Sequence, residues 1–211
     1  DGLSAGLAGV IASSERSARA MRSAIAAHQF RLQYQPIVSL ADRAIHHFEA
    51  LLRPIEQPTH PSGSSQDFVL FAEMVGLAEE LDAAVVEEAL LALARAPEAS
   101  VAVNVSGHTI QSPLFRANLL SLIANTEGLT PAPQGHHRLL VELTETAEIE
   151  DMQAAAAAIA DLRGHGVLVC IDDFGAGGAA FRYLREFGVD YVKIDGLYVR
   201  AARSEEHTSE L

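Results

Sequence analysis

The sequence predicts an α/β protein with a largely parallel sheet and helices outside it. From residue 101 onward, strand-like and helix-like segments alternate, which is typical of parallel strands joined by helices. Before that point, residues 39–45 separate two strand-like segments and are too few for a crossover helix, so an antiparallel hairpin is expected. A barrel and an open doubly wound sheet both fit this order, although no Gly-rich turn follows the first strand as in dinucleotide-binding sheets.

The elements follow one another in a simple order. Residues 1–20 are expected to form an entry helix or a linker from an upstream domain. Strands are expected at 32–38 and 46–52, where Pro36 indicates a strand edge or a bulge. Residues 60–65 are rich in Gly, Ser and Pro and predict a loop. The remaining predicted elements are helices at 67–76, 79–96, 113–124, 151–165 and 179–187, and strands at 101–106, 139–144, 167–171 and 191–195.

Side-chain spacing supports the helix at 79–96 in particular. Leu81, Val85 and Leu93 recur at or near the i, i+4 spacing that places apolar side chains on one helix face. Pro97 is expected to end this helix because proline lacks a backbone donor.

Composition narrows the class of protein. The 211 residues carry 15 Lys and Arg against 28 Asp and Glu, a formal charge of −13, and 49% of them are hydrophobic. Such a chain can bury a core and is too apolar to be disordered. The negative charge argues against binding a nucleic-acid polymer, but a phosphate substrate stays possible if metal ions supply positive charge.

The single cysteine and the absence of an apolar leader set two further expectations. Cys170 cannot form an intrachain disulfide, and its apolar surroundings predict a buried hydrophobe rather than a reactive thiol. No signal peptide and no membrane-spanning stretch is visible, so a cytoplasmic domain is expected. The chain begins with Asp, so a membrane-anchored or sensor segment could lie upstream.

Polar side chains recur at or near the carboxyl ends of the predicted strands. They are Glu49, Asn104, Glu142, Asp172, Asp173, Lys193 and Asp195. In a barrel these ends share the face that carries the active site, and converging carboxylates would repel one another unless a cation were bound. Oxygen ligands favour Mg²⁺, Mn²⁺ or Ca²⁺ over zinc, and a pair of such ions is a common device for phosphodiester cleavage. Lys193 would then stabilise developing charge or steady a water molecule.

Each of these residues also has an ordinary structural explanation. A lone strand-end Glu is usually solvated, Asp172 and Asp173 could form a simple turn, and Asn104 could cap a helix. Four strands that all end in this way are harder to explain by coincidence. The pair His46-His47 is not expected to chelate a metal, because adjacent strand residues face opposite ways, and His136-His137 lies in a predicted loop.

Six motifs in the expected order resemble the EAL domain family of cyclic di-GMP phosphodiesterases, over residues 20–202. The motifs are Tyr34-Gln35-Pro36-Ile37-Val38, Phe48-Glu49-Ala50-Leu51-Leu52-Arg53, Asn104-Val105-Ser106, Glu142-Leu143-Thr144-Glu145, Asp172-Asp173-Phe174-Gly175-Ala176-Gly177 and Lys193-Ile194-Asp195. The resemblance implies a modified (β/α)8 TIM-like barrel with one antiparallel strand, of which about six of eight strands are visible. It also implies hydrolysis of cyclic di-GMP to linear pGpG with two Mg²⁺ or Mn²⁺ ions, in a homodimer that could carry an upstream sensor or GGDEF-type domain.

The same resemblance implies roles for individual residues. The implied metal ligands are Glu49, Asn104, Glu142, Asp172 and Asp173. The implied catalytic residues are Lys193, Glu49 and Asp172, and the implied substrate-binding residues are Gln35, Arg53 and Asp195. Glu145 is implied to couple a loop to the dimer. A cyclic di-GMP receptor or protein-interaction module that has lost catalysis is the alternative. Another barrel enzyme for a phosphorylated substrate would also bear such a site.

The C-terminal residues depart from the family pattern. Two further strands, one with an acidic site residue, are expected after Asp195, but residues 203–211 resemble a translated sequencing adapter. We therefore expect residues 21–202 to be an EAL domain without its last two strands. The 211-residue chain by itself is expected to hydrolyse little or no cyclic di-GMP.

Overall fold

The computed structural model describes residues 2–55, 64–126, 138–144, 149–175 and 180–200. Within them, helices and strands alternate as the sequence predicts. The helices are α1 (Gly2–Ala26), α2 (Ser65–Met74), α3 (Ala78–Arg95), α4 (Gly107–Ile110), α5 (Pro113–Asn125), α6 (Met152–Gly164) and α7 (Ala180–Glu186). The strands are β1 (Phe30–Val38), β2 (Ile45–Pro54), β3 (Val101–Val105), β4 (Leu139–Thr144), β5 (Leu168–Phe174) and β6 (Tyr191–Ile194). No helix in these ranges is both long and apolar enough to cross a bilayer.

The strands form one six-stranded sheet in chain order, β1 to β6. β1 pairs antiparallel with β2, and every later pairing is parallel, which confirms the predicted hairpin and the predicted α/β class. The pairing register shifts between Ile37 and Val38, directly after Pro36, as expected for a proline in an edge strand. Among the described strands, β1 and β6 each pair with one neighbour, so the sheet is open.

Side chains alternate between the two faces of the sheet. Val103, Val141 and Val169 point outward into the main hydrophobic core, where the helices cover them. The predicted apolar face of α3 is confirmed, since Leu81 and Leu93 are buried in the same core. Each such side chain contributes roughly 1.5–3 kcal/mol to folding. The opposite face of each strand is therefore free to carry polar residues without disturbing the core.

Two partly buried polar contacts hold the loop after β3. The backbone N–H of Ser106 donates to the Asp82 carboxylate on α3 (2.9 Å), and Ser106 Oγ accepts from the N–H of Thr109 (3.1 Å). Ser106 thereby caps α4, a short helix that the sequence analysis does not predict. Burial raises the pKa of Asp82 to about 6, although the Thr109 and Ser106 hydrogen bonds oppose that shift. The chain is thus fixed directly after β3, two residues beyond Asn104.

A second anchor joins α6 to the last two strands. Arg163 forms a bidentate pair with Asp190, with its closest contact at 2.8 Å, and Asp190 also accepts from the N–H of Val169 at 2.9 Å. The backbone N–H of Asp190 donates to the Val169 carbonyl at 2.8 Å. These contacts fix the position of β6 relative to β5 in the sheet.

Candidate functional site

The amine of Lys193 lies among three carboxylates that come from three other strands. Its Nζ atom donates to Asp172 Oδ2 (2.7 Å), Glu142 Oε2 (3.0 Å) and Glu49 Oε2 (3.1 Å). These contacts join residues up to 144 positions apart in the chain. The strand-end residues that the sequence singles out do therefore meet on one face of the sheet, and we call Glu49, Glu142, Asp172 and Lys193 the carboxylate cluster.

Asn104 borders the carboxylate cluster on β3. Its Nδ2 atom donates to Glu49 Oε1 at 3.4 Å, and the residue lies opposite Glu142 in the β3–β4 register. The alternative that Asn104 caps a helix is wrong, because Ser106 caps α4 instead. Period-two alternation explains the arrangement, since each of these polar residues occupies the strand face opposite the helix-covered core.

Burial and charge shift the pKa values of both Glu142 and Lys193. Its side chain is fully buried, and its Oε1 atom has no hydrogen-bond partner among the described residues. Burial raises the pKa of Glu142 to about 7, and the nearby charges of Glu49 and Asp172 add to the rise, while Lys193 opposes it. Burial alone would lower the pKa of Lys193, but its contacts with Asp172 and Glu142 raise it above its ordinary value.

The donor set fits a divalent cation. Glu49, Glu142 and Asp172 each offer one oxygen, and the three oxygens lie within 4.8 Å of one another. Three carboxylates and one ammonium leave the cluster with an excess of negative charge when all are ionised. A buried carboxylate oxygen without a partner, Glu142 Oε1, adds a further unsatisfied acceptor. Hard oxygen ligands with excess negative charge are what Mg²⁺, Mn²⁺ and Ca²⁺ bind in proteins.

Asp173 and Asp195 lie beside the cluster, outside the group of three carboxylates. Asp173 has a left-handed backbone (φ 55°), and its N–H donates to Asp172 Oδ1 at 2.8 Å. Burial raises the pKa of Asp173, and the charges of Asp172 and Asp195 raise it further. The N–H of Asp195 donates to the Phe174 carbonyl at 3.1 Å, which ties the end of β6 to the end of β5. Both aspartates thus border the site at its solvent side.

Gln35 and Arg53 share the sheet face of the cluster but remain at its exposed rim. Gln35 lies directly opposite Glu49 in the β1–β2 register. Arg53 donates from Nε to Gln33 Oε1 (2.9 Å) and from Nη1 to Ser65 Oγ (3.2 Å). The hydrogen bonds of the Arg53 side chain to Gln33 and Ser65 thus lie at this rim. The predicted residues outside the described part of the chain are Glu145, His136, His137 and residues 203–211.

His46 and His47 line a cavity beside the cluster, although the sequence analysis considers them only as metal ligands and does not expect the pair to chelate a metal. Their adjacent rings were expected to face opposite ways, yet the two Nδ1 atoms lie 2.8 Å apart. His47 is buried, and its Nε2 atom lies 3.9 Å from Glu142 Oε1. Burial lowers the pKa of His47 to about 4, with further lowering by His46 and Lys193, so the ring is neutral near neutral pH. Its position two residues before Glu49 was the available signal, since both then share one strand face.

A cavity of about 290 Å³ lies beneath the cluster. Its lining includes Ile37, His46, His47, Leu140, Glu142, Cys170, Tyr191 and Lys193. Cys170 is buried in this lining, and burial raises the pKa of its thiol to about 12, with a further rise from Glu142. The expectation of an unreactive, buried cysteine is therefore confirmed.

Comparison with known proteins identifies the family to which this chain is similar. The sequence profile of the EAL domain matches residues 18–211. An uncharacterized protein of Mycobacterium tuberculosis is 37% identical over 185 residues, which are 85% of this chain and 58% of that protein. The chain thus spans little more than half the length of that relative. Cyclic di-GMP phosphodiesterase PdeB of Shewanella oneidensis is 32% identical, over 84% of this chain and 20% of that protein.

Solved structures agree with the sequence relatives. The FimX EAL domain of Pseudomonas aeruginosa, solved bound to c-di-GMP, superposes with a TM-score of 0.76 at 25% identity, over 90% of this chain and 75% of that one. The EAL enzyme Bd1971, solved with cAMP and cyclic di-GMP, has the same fold with a TM-score of 0.77, at 23% identity over 97% of this chain and 56% of that one. On the combined sequence and structural match, the chain belongs to the EAL domain family.

Proposed function

We propose that the protein is a metal-dependent phosphodiesterase that hydrolyses cyclic di-GMP to linear pGpG. The observation that carries this proposal is the carboxylate cluster, in which Lys193 lies within 3.1 Å of three carboxylates from separate strands. The relatives named cyclic di-GMP phosphodiesterases support the substrate. Its two phosphates are anionic and the chain carries a charge of −13, so positive charge must be supplied locally.

Mg²⁺ or Mn²⁺ bound at the cluster would lower the pKa of a water molecule and stabilise the phosphate oxygens. Glu49, Asn104, Glu142 and Asp172 would hold the first ion, with Asp173 extending the site toward a second. These side chains need little reorganisation, because four of the five come from neighbouring strands and Asp173 directly follows Asp172 at the end of β5. Preorganised charges of this kind are usually the largest contribution to catalysis.

Lys193 has two tasks in the proposed reaction. In the metal-free protein its ammonium partly neutralises the carboxylates that it contacts. With a cation bound among these carboxylates, Lys193 would be free to donate hydrogen bonds to an attacking water or to a phosphate oxygen. Its raised pKa keeps it protonated, so it orients and stabilises rather than removing a proton.

The rim of the site would bind the dinucleotide. Arg53 and Gln35 lie exposed on the same face as Glu49, where a guanidinium and an amide suit phosphate and base edges. Asp195 would contact the substrate from β6. In this proposal Glu145 couples the neighbouring loop to a homodimer, in which an upstream domain could regulate the site.

The proposal is tested by incubating the full-length protein with cyclic di-GMP and Mn²⁺ and separating the products by chromatography. We expect pGpG to accumulate, and to stop accumulating when a chelator is added. Glu49→Gln should lower the rate at least about 100-fold, because it removes one charge from the proposed ligand set. The exposed Glu80→Gln variant is the matched control. Turnover that survives chelation would overturn the proposal.

A cyclic di-GMP receptor without turnover is the second candidate. One observation favours it: Lys193 already donates to one oxygen of each carboxylate, so the cluster is partly neutralised without a cation. A receptor would bind cyclic di-GMP equally well with and without Mn²⁺ and would release no pGpG. Isothermal titration beside the product assay separates the two candidates.

A further inference from the structure

The buried ring of His47 faces Glu142 from the cavity side of the carboxylate cluster. His47 Nε2 and Glu142 Oε1 are both buried atoms without a hydrogen-bond partner among the described residues, and they lie 3.9 Å apart. Two unsatisfied buried polar atoms in one place are costly unless they share a partner. We propose that His47 is a positioning residue for Glu142, whose Nε2–H donates to Glu142 Oε1 through one water molecule in the cavity.

The distance and the surroundings fit one bridging water. A separation of 3.9 Å is too long for a direct hydrogen bond, but a water can reach both atoms. The cavity of about 290 Å³ opens onto both side chains. A water held between these two atoms would fix the direction in which the Glu142 carboxylate faces.

His46 determines which nitrogen of His47 carries the proton. The two Nδ1 atoms lie 2.8 Å apart, so one must donate and the other accept. A water that accepts from His47 Nε2–H can donate to the Glu142 carboxylate, so the proposal places the His47 proton on Nε2, and His46 Nδ1–H then donates to His47 Nδ1. Tyr191 packs edge-on against the His46 ring with centroids 5.4 Å apart, which holds the donor in place.

This arrangement gives the two oxygens of Glu142 separate tasks. Oε2 accepts a hydrogen bond from Lys193 on the side of the other carboxylates, while Oε1 is positioned by His47 from the cavity side. The inference rests on the proposed function, since orienting Glu142 matters most when it holds a cation. Removing such an outer hydrogen bond typically costs 10–100-fold in metal affinity.

The first test titrates the full-length protein with Mn²⁺ and measures the affinity for Mn²⁺ by electron paramagnetic resonance. His47→Ala should weaken Mn²⁺ binding about 10-fold or more, whereas His47→Gln should retain affinity within about threefold because the amide still donates. His28→Ala is the control, since His28 also contacts a carboxylate (Glu88, 2.7 Å) on the outer side of the sheet. Equal affinities of wild type and His47→Ala would overturn the inference.

The second test needs no metal and no substituted residue at the site. Long-range ¹H–¹⁵N spectra of the metal-free protein should show His47 as the neutral Nε2–H tautomer, with Nδ1 accepting from His46. A neutral Nδ1–H tautomer would overturn the inference. If wild type fails to bind Mn²⁺, the proposed function fails, while the tautomer still decides the His47–Glu142 pair independently.

Discussion

Replacing Glu142 by Gln should make the metal-free protein more stable at alkaline pH. Glu142 is fully buried, and its pKa of about 7 in the folded protein exceeds the ordinary value of 4.5. The folded protein therefore holds a proton that the unfolded chain has already lost between these two pH values. Stability consequently falls as pH rises through that window, because the folded state binds more protons there.

The size of the effect follows from the shift. Each pKa unit corresponds to 1.36 kcal/mol, so Glu142 costs the metal-free fold about 3 kcal/mol once both states are ionised. Gln has nearly the same shape and no titration. The difference in unfolding free energy between Glu142→Gln and wild type should thus rise by about 3 kcal/mol between about pH 4.5 and about pH 8.

Urea denaturation with a chelator present measures this difference at each pH. Comparing variants removes the contribution of Asp82, which has a raised pKa in both proteins. Glu80→Gln is the control for losing a negative charge, and its difference should change far less because that side chain is half exposed. A Glu142→Gln difference that stays constant with pH would refute the reasoning, because Glu142 would then be ionised in the fold without cost.

Three further predictions follow from the same contacts. Lys193→Met should lower the unfolding free energy of the metal-free protein in urea by about 3–5 kcal/mol, because it leaves buried carboxylates without their cation. Mn²⁺ at about 100 times its dissociation constant should stabilise wild type by about 2.7 kcal/mol in thermal unfolding, and a chelator should remove the gain. Ser64→Ala breaks the capping box with Asp67 and should cost about 1 kcal/mol, with unchanged Mn²⁺ affinity by titration.

Most of the fold was predictable because local pattern and global fold agree. The short link between β1 and β2 allows only a hairpin, and the later alternation of strands and helices allows only parallel pairing. The convergence of Glu49, Glu142 and Asp172 was likewise predictable, since parallel strands align their carboxyl ends. These are consequences of topology, which a pattern along the chain can reveal.

Contacts that depend on register and side-chain direction were not predictable in the same way. Helix α4 lacks a visible signal because its cap, Ser106, is oriented by Asp82 from another helix. The His46–His47 contact contradicts the expectation from alternation, because the β1–β2 register skips His46: Ile37 pairs with His47 and Val38 with Ile45, and such a bulge interrupts the alternation. The burial that raises the pKa of Glu142 depends on the packing of the whole inner face.

Product analysis of cyclic di-GMP turnover by the full-length protein tests the central claim most directly. We predict that wild type forms pGpG with Mg²⁺ or Mn²⁺, and that a chelator or Glu142→Gln abolishes the product while the protein stays folded. Tight binding of cyclic di-GMP without any pGpG, at saturating Mn²⁺, would contradict the account and identify the carboxylate cluster as part of a receptor.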